Sequence, residues 1–311
     1  MTDTAQIVGD GLAGTWFAQL LKEQDLDFIC FGDGRTNTPP VAFVHLFQGR
    51  TFRRHELELT AFQSSINFWR ASEYAQEWSV LRKTTAGDRL QRSAQDHNVP
   101  EEFAPRPQGA ELFAYRPGFT VRAKSLTEKW KDGFSDRFQD RTVERDELSG
   151  PVVYANGLGI EDLLPNLRWD TNPGRTVRAR CLEHPEKKPE NLVIAKGFHL
   201  GGNPACEGFT IGGRVNSKGE AKNDETELAE EWLKERVEMC SEWWGERIAN
   251  ALDRWPIIGW LSEEAFVFAG FGGRALFWLP YCAPLAVEAY LRGGNGNIPQ
   301  ALSIERFRTM L

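Results

Sequence analysis

The stretch "IVGDGLAGTWFAQLL", residues 7–21, constrains the fold most, because it places three glycines between an apolar run and a helix-like segment. Gly9, Gly11 and Gly14 follow the G-x-G-x-x-G spacing. Glycines at this spacing permit a tight turn and a close backbone approach, and the free N–H groups of the following helix favour an anion such as a dinucleotide diphosphate. The sequence therefore predicts a strand, a glycine turn and a nucleotide-binding helix.

A second apolar run, "DFICFG" at residues 27–32, follows the predicted helix and completes a βαβ unit of about 30 residues. In such units an acidic residue about 20 positions further on binds the ribose. Gly32 occupies that position and Asp33 comes one residue later. We predict that Asp33 contacts the ribose, although an aspartate in "GDGR" is equally suited to forming the turn.

Composition narrows the class of protein. The chain has 311 residues, 41% hydrophobic and 26% charged, which is typical of a soluble globular protein with more than one lobe. Its net charge of −7 argues against a nucleic-acid partner. No window approaches 18 uninterrupted apolar residues, so no membrane span is expected.

The N-terminal residues "MTDTAQ" lack the features of a signal peptide. The five cysteines are scattered and never in C-x-x-C spacing, which favours reduced thiols and leads us to expect a cytoplasmic location. The five histidines form no pair in metal-ligand spacing, so we expect no metal site.

The rest of the chain splits into dinucleotide-type elements at both ends and in the middle, with other material inserted between them. Helical periodicity predicts one or two helices over 54–81, a helix over 124–134 and a long acidic helix over 223–252. Short alternating runs over 166–215 predict antiparallel sheet. We expect an α/β fold (α+β overall), with a Rossmann-like dinucleotide-binding domain interleaved with an antiparallel-sheet domain.

The predicted boundaries are 1–44, 119–165 and 253–311 for the first domain, and 45–118 and 166–252 for the second.

A second glycine-rich turn lies in "AGFGGRALFWLPYCAPLAVEAYL", residues 269–291. Together with the N-terminal motif it resembles the D-amino-acid oxidase (glycine oxidase-like) family of FAD-dependent oxidoreductases. "VVYANGLG" looks like the family's second FAD segment, with Asn156 where a threonine is usual, and "LDRWPIIGW" is similar to its D-x-x-P-x-I-G stretch.

The resemblance implies bound FAD and a site spread along the chain. The predicted cofactor contacts are Gly9, Gly11, Gly14, Asp33, Arg35, Ala42, Phe43, Val44, Val143, Asn156, Gly157, Gly270, Gly272, Gly273 and Arg274. Three residues are predicted to be catalytic. Arg274 would stabilise negative charge on the reduced ring, Arg247 is nearest to the family's substrate-carboxylate arginine but one residue out of register, and His45 is a possible pocket residue.

The implied activity is oxidation of a C–N bond in a small amine or amino acid by hydride transfer to flavin. Two alternatives stay open at this point. One is a relative that binds FAD without turnover and acts as a binding or regulatory protein. The other is an NAD(P)-dependent dehydrogenase that uses only the N-terminal unit. The substrate, the electron acceptor, covalent attachment of FAD and the oligomeric state are left undetermined.

Overall fold

A computed structural model describes residues 4–34, 38–48, 56–195, 198–202, 208–214 and 224–311. The chain divides into two compact units. The first consists of Met1–Thr38, Lys124–Asn172 and Glu246–Leu311, and the second of Pro39–Ala123 and Pro173–Gly245. None of the helices in the described ranges has the length and apolar character needed to cross a membrane.

Strands and α-helices follow one another along both units. The strands are β1 Ala5–Val8, β2 Phe28–Gly32, β3 Ala42–His45, β4 Ala75–Lys83, β5 Arg106–Pro107, β6 Leu112–Val121, β7 Phe138–Asp140, β8 Val152–Tyr154, β9 Trp169–Cys181, β10 Leu192–Ala195, β11 Phe198–Gly202, β12 Phe209–Arg214, β13 Val237–Asn250, β14 Ile257–Ser262 and β15 Ala265–Ala269. The helices are α1 Leu12–Glu23, α2 Glu56–Ala71, α3 Gly87–Asp96, α4 Ala123–Gly133, α5 Ile160–Leu163, α6 Asp224–Leu233 and α7 Ala275–Arg292.

The sheet of the first unit has the strand order β14-β15-β8-β1-β2-β7. Strand β1 pairs in parallel with β2 on one side and β8 on the other, β15 is parallel to β8, and among the described pairings of this sheet only β14 runs antiparallel. The chain therefore leaves β1 in one direction for β2 and later returns to the opposite side for β8. This reversal is the topological switch point at which open α/β sheets bind ligands.

Aromatic packing holds α1 and α7 against this sheet. The five residues of β15, "AFVFA", are all buried, as expected for a parallel strand covered on both faces. The fully buried Phe17 of α1 packs against Phe268 of β15 and Tyr290 of α7, with ring centroids 5.7 Å apart in both pairs. Helix α7 ends at Arg292, and Gly293 follows with a left-handed φ of 68°, the usual conformation at a helix C-terminus.

The sheet of the second unit has the order β13-β9-β12-β11-β10-β4-β6-β3, with β5 paired to β6. Its described pairings are antiparallel except for β10 with β4. The sheet curls strongly enough for the edge strand β3 to reach β11 and β12. A methyl group placed on Gly212 of β12 would lie 2.5 Å from the ring of Phe43 on β3, so glycine makes room for this contact.

The predicted fold class is confirmed: a parallel α/β sheet and a mainly antiparallel sheet are interleaved along one chain. The helix predicted over 124–134 is confirmed as α4, and the antiparallel sheet predicted over 166–215 is confirmed by β9, β11 and β12.

Two secondary-structure predictions were wrong in part. The helix predicted over 223–252 stops at Leu233, where Lys234 adopts a left-handed φ of 56°, and β13 follows. The helix predicted up to residue 81 stops at Ala71, and β4 then pairs with β6 and β10. In both segments tertiary strand pairing overrides the helical propensity of the residues.

We expect Gly14→Ala to destabilise the protein by about 1–3 kcal/mol, because overpacking a dense contact forces the backbone to shift. The added methyl group would lie 1.8 Å from the carbonyl oxygen of Gly9. Gly11→Ala is the matched control, since nothing lies within 4 Å of a methyl group there and its expected cost is limited to a weaker N-cap. Denaturant unfolding followed by tryptophan fluorescence measures both, and equal stability losses would contradict the crowding described at Gly14.

Candidate functional site

The carboxyl ends of four parallel strands meet at one edge of the first unit's sheet. Strand β1 leads into Gly9, β2 ends at Gly32, β8 leads into Ala155 and β15 leads into Gly270. Ligands of open α/β sheets bind outside this edge. Several predicted cofactor contacts follow these strands directly. They therefore lie at the edge of the sheet where a dinucleotide is expected.

The first glycine turn combines two glycines required by packing with one that faces open space. Gly9 has a φ of 117°, and a methyl group on it would lie 2.3 Å from the carbonyl oxygen of Ala155. Gly14 packs against the carbonyl of Gly9, whereas Gly11 is the N-cap of α1 and has nothing within 4 Å. The first helical bond of α1 runs from Thr15 N–H to the Gly11 carbonyl, so the preceding N–H groups have no partner within the helix. The turn is thus open and electropositive, which suits an anion.

The end of β8 presents a buried polar atom to the same region. Asn156 follows the strand, and its side-chain oxygen is buried with no hydrogen-bond partner among the described residues. Gly157 has a φ of 57°, and Val143 is half-buried in the segment after β7. A buried acceptor without a partner is costly unless a ligand or water donates to it.

The end of β2 differs from the expected ribose site. Asp33 is exposed, and Arg35 lies outside the described residues. A methyl group on Gly32 would collide with the side chain of Asp10, lying 2.3 Å from its Cβ and 2.6 Å from its Oδ1. Asp10 is buried and its Oδ2 accepts a hydrogen bond from Lys131 Nζ of α4 at 2.6 Å.

The thiol of Cys30 lies beneath the first turn, with Sγ 3.8 Å from the carbonyl oxygen of Gly9. Burial and then the negative charge of Asp10 raise the pKa of Cys30 to about 12. The Cys30 thiol therefore stays protonated at neutral pH and donates a weak hydrogen bond to the Gly9 carbonyl. It does not act as a nucleophile there.

The second glycine turn, after β15, contains Arg274 and lies beside Arg247 of β13. Gly270 and Gly272 have φ values of 77° and 55°. A methyl group on Gly273 would lie 3.1 Å from Nη1 of Arg247, which places that guanidinium beside the turn. Arg274 is the N-cap of α7, and its guanidinium carbon lies 4.6 Å from the ring centroid of Phe277. The turn, the helix N-terminus and both guanidinium groups concentrate positive potential at one place.

The D-x-x-P corner, Asp253 to Pro256, packs next to this turn. Arg306 donates to Asp253 Oδ2 at 3.0 Å and to the carbonyls of Trp255 and Pro256 at 3.3 and 3.1 Å. The ring centroid of Trp255 lies 5.4 Å from that of Trp278 in α7. Arg306, near the C-terminus, thus holds the D-x-x-P corner in place before the chain enters β14.

Four of the predicted residues, Ala42, Phe43, Val44 and His45, form β3 in the second unit. The side chain of Phe43 stacks on the ring of His199, with centroids 5.4 Å apart and an interplanar angle of 16°. His45 is buried, and its Nε2 lies 3.0 Å from Nε2 of His199, while Tyr115 OH lies 3.2 Å from its Nδ1. Because only one proton fits between the two Nε2 atoms, the tautomers of both rings are coupled.

Sequence reasoning did not single out Asp10, Lys131, Tyr115 or His199. Asp10 had a signal in the sequence: an acidic residue inside an anion-binding glycine motif, combined with glycine at the end of β2 where an acid is expected. His199 and Tyr115 had none, because they are separated from His45 by 154 and 70 positions. Within the described ranges, no group of three or more His, Cys, Asp or Glu side chains is placed to hold a metal ion.

Neither a protein-family model nor a curated protein matches this sequence. Solved structures match its fold. Glycine oxidase from Geobacillus kaustophilus is 18% identical, with a TM-score of 0.73 over 93% of this chain and 94% of that chain. Iminodiacetate oxidase from Chelativorans sp. BNC1 is 14% identical, with a TM-score of 0.70 over 96% and 98%. L-proline dehydrogenase from P. horikoshii is 13% identical, with a TM-score of 0.68 over 98% and 97%.

The predicted resemblance to glycine oxidase-like proteins is therefore confirmed for the fold. Oxidases and dehydrogenases of amines and amino acids share this architecture over nearly their whole length.

We expect iodoacetamide to modify Cys240 in the native protein at pH 8 and to leave Cys30 and Cys282 unmodified. Cys240 is exposed, whereas burial raises the pKa of both other thiols, so their reactive thiolate fraction is negligible. Peptide mass mapping after native labelling measures this, and labelling in denaturant is the control in which all three react. Fast native labelling of Cys30 would contradict the described packing.

Proposed function

We propose that this protein is an FAD-dependent oxidoreductase that oxidises a C–N bond of a small amine or amino acid. One observation carries the proposal: the open N-terminus of α1 and the crowded contact of Gly9 with Ala155 lie at the switch point of the parallel sheet. The fold shared with solved amine and amino-acid oxidoreductases supports the reaction class.

The residues at this edge fit FAD. Gly11 leaves space for a diphosphate before the helix, and the buried oxygen of Asn156 has no donor among the described residues, so a ligand hydroxyl would supply one. Gly157, Val143, Asp33 and Arg35 remain predicted contacts from the sequence, and so do Ala42, Phe43 and Val44 on β3. When bound, FAD supplies the hydride acceptor for the substrate carbon next to nitrogen.

The second turn fits the electrostatic demands of this chemistry. We assign to the N–H groups of Gly272 and Gly273, in the turn before α7, the role of offsetting negative charge that develops on the flavin ring. The left-handed backbone of Gly270 begins that turn. Arg274 adds a positive charge at the same N-terminus. Arg247, beside Gly273, is proposed to bind a substrate carboxylate.

His45 is proposed as a pocket residue whose ring orientation is set by contacts at both of its nitrogens. Its Nε2 shares a proton with His199, and Tyr115 bonds its opposite nitrogen, so the tautomer of His45 follows its two neighbours. No strong base is required, because hydride transfer from a neutral amine needs only orientation and charge stabilisation.

We expect Gly11→Asp to abolish FAD binding while the fold is retained. Aspartate is a favourable N-cap, and nothing lies within 4 Å of the new side chain's first carbon, so stability is kept. Its carboxylate lies where the diphosphate is expected and repels it. Titration of flavin-stripped protein with FAD, followed by flavin fluorescence and the visible spectrum, measures an affinity loss of more than about tenfold.

Gly11→Asn is the matched control, because it has the same shape and capping ability without the charge; we expect a smaller loss. A colourless wild-type protein that takes up no FAD would refute the proposed function. Turnover with NAD(P) and no flavin would favour the dehydrogenase alternative instead. FAD binding without bleaching by any amine or amino acid under anaerobic conditions would favour the relative without turnover.

We expect Arg247→Met to raise KM for an amino-acid substrate by about 10- to 100-fold, the value of a charge-assisted hydrogen bond. KM for the amine that lacks the carboxylate should stay nearly unchanged. Steady-state kinetics on such a matched substrate pair measures the difference, with Arg247→Lys as the variant that keeps the charge. Equal effects on both substrates would exclude a role in binding the carboxylate.

A further inference from the structure

We propose that Asp10, on the first glycine turn, supplies the carboxylate that accepts a hydrogen bond from the ribose of the adenosine half of FAD. This inference rests on the proposed function and names a binding residue for it. In ordinary dinucleotide-binding units that acid projects from the end of the second strand. Here the second strand ends in Gly32, and the acid comes from inside the G-x-G-x-x-G motif.

The space at the end of β2 supports this exchange. A methyl group on Gly32 would overlap the side chain of Asp10, at 2.3 Å from both Cβ and Cγ. The carboxyl group of Asp10 therefore lies where an acidic side chain at position 32 would begin. Side chains at both positions would clash, so the placement of Asp10 requires glycine at position 32.

Charge would normally exclude an acid from this turn, because the helix N-terminus and the glycine loop attract a diphosphate. Lys131 removes that conflict. Its Nζ donates to Asp10 Oδ2 at 2.6 Å, and it lies 5.0 Å from the ring centroid of Phe138 on β7. The pair is neutral overall, so the turn keeps its preference for an anion.

The ribose contact is assigned to the carboxylate oxygen of Asp10 that Lys131 does not engage. Lys131 engages Oδ2, while Oδ1 lies 2.6 Å from the methyl position on Gly32. The backbone of Asp10 is held as well, since Thr15 Oγ1 donates to its carbonyl at 3.0 Å. A buried ion pair contributes little net stability after desolvation, whereas a held carboxylate provides a preorganised acceptor.

Asp33 is the competing candidate from the sequence. It follows β2 directly but its side chain is exposed, whereas Asp10 is buried and bonded to Lys131. Either aspartate would make the wild type bind a ligand without the ribose 2′-hydroxyl more weakly, but the two assignments differ in which substitution removes that discrimination. That difference forms the basis of the experiment.

The experiment measures binding of ADP and of 2′-deoxy-ADP to flavin-stripped full-length protein by calorimetry. Wild type should bind ADP about tenfold or more tightly than 2′-deoxy-ADP, the value of a hydrogen bond to a charged acceptor. In Asp10→Ala/Lys131→Met, which removes the whole ion pair, the two affinities should become nearly equal. Asp33→Ala, the matched control, should keep the discrimination.

Asp10→Asn tests the same idea with almost no change in shape, and it too should lower the ratio of the two affinities. Discrimination retained in both Asp10 variants would overturn the assignment, and its loss in Asp33→Ala alone would transfer the role to Asp33. Either result leaves the proposed function standing as long as wild type binds FAD. Failure of wild type to bind FAD and ADP at all would instead refute the proposed function.

Discussion

The first unit depends on one crowded backbone contact, in which Gly9 meets the Ala155 carbonyl on one side and Gly14 on the other. Any side chain at Gly9 or Gly14 would occupy space already filled by a carbonyl group. Because these glycines have no side chains, the ends of β1 and β8 and the first turn of α1 converge at a single point. That convergence creates the open helix N-terminus, and the other elements of the sheet edge are arranged around it.

Electrostatics at this edge follows from the same shortage of space. Asp10 lies beside Gly32 because position 32 has no side chain, and Lys131 neutralises the charge that would otherwise oppose an anion. At the second turn, Gly273 leaves space for the Arg247 guanidinium, and Arg274 adds its charge at the start of α7. In each case a glycine determines where a charged group can lie.

The second unit places its polar cluster by curling a sheet. His45 on β3 and His199 on β11 are far apart in the strand order, yet their Nε2 atoms lie 3.0 Å apart. Gly201 and Gly212 make this possible, because a methyl group on either would lie within 3.0 Å of the Phe43 ring. No local pattern predicts such a contact, since it depends on how far the whole sheet closes.

The sequence alone determined the βαβ unit, both glycine turns, the class of fold and its resemblance to glycine oxidase-like proteins, because glycine spacing and apolar periodicity are local properties of the chain. It misassigned residues 237–250 to a helix, because helix-forming residues there are recruited into a strand by pairing that only the assembled sheet supplies. The tertiary structure alone decided the pairs Asp10–Lys131, His45–His199 and Arg306–Asp253, whose members are separated by 121, 154 and 53 positions. The members of such pairs meet only when the chain folds, and no local pattern in the sequence indicates which distant residues will come together.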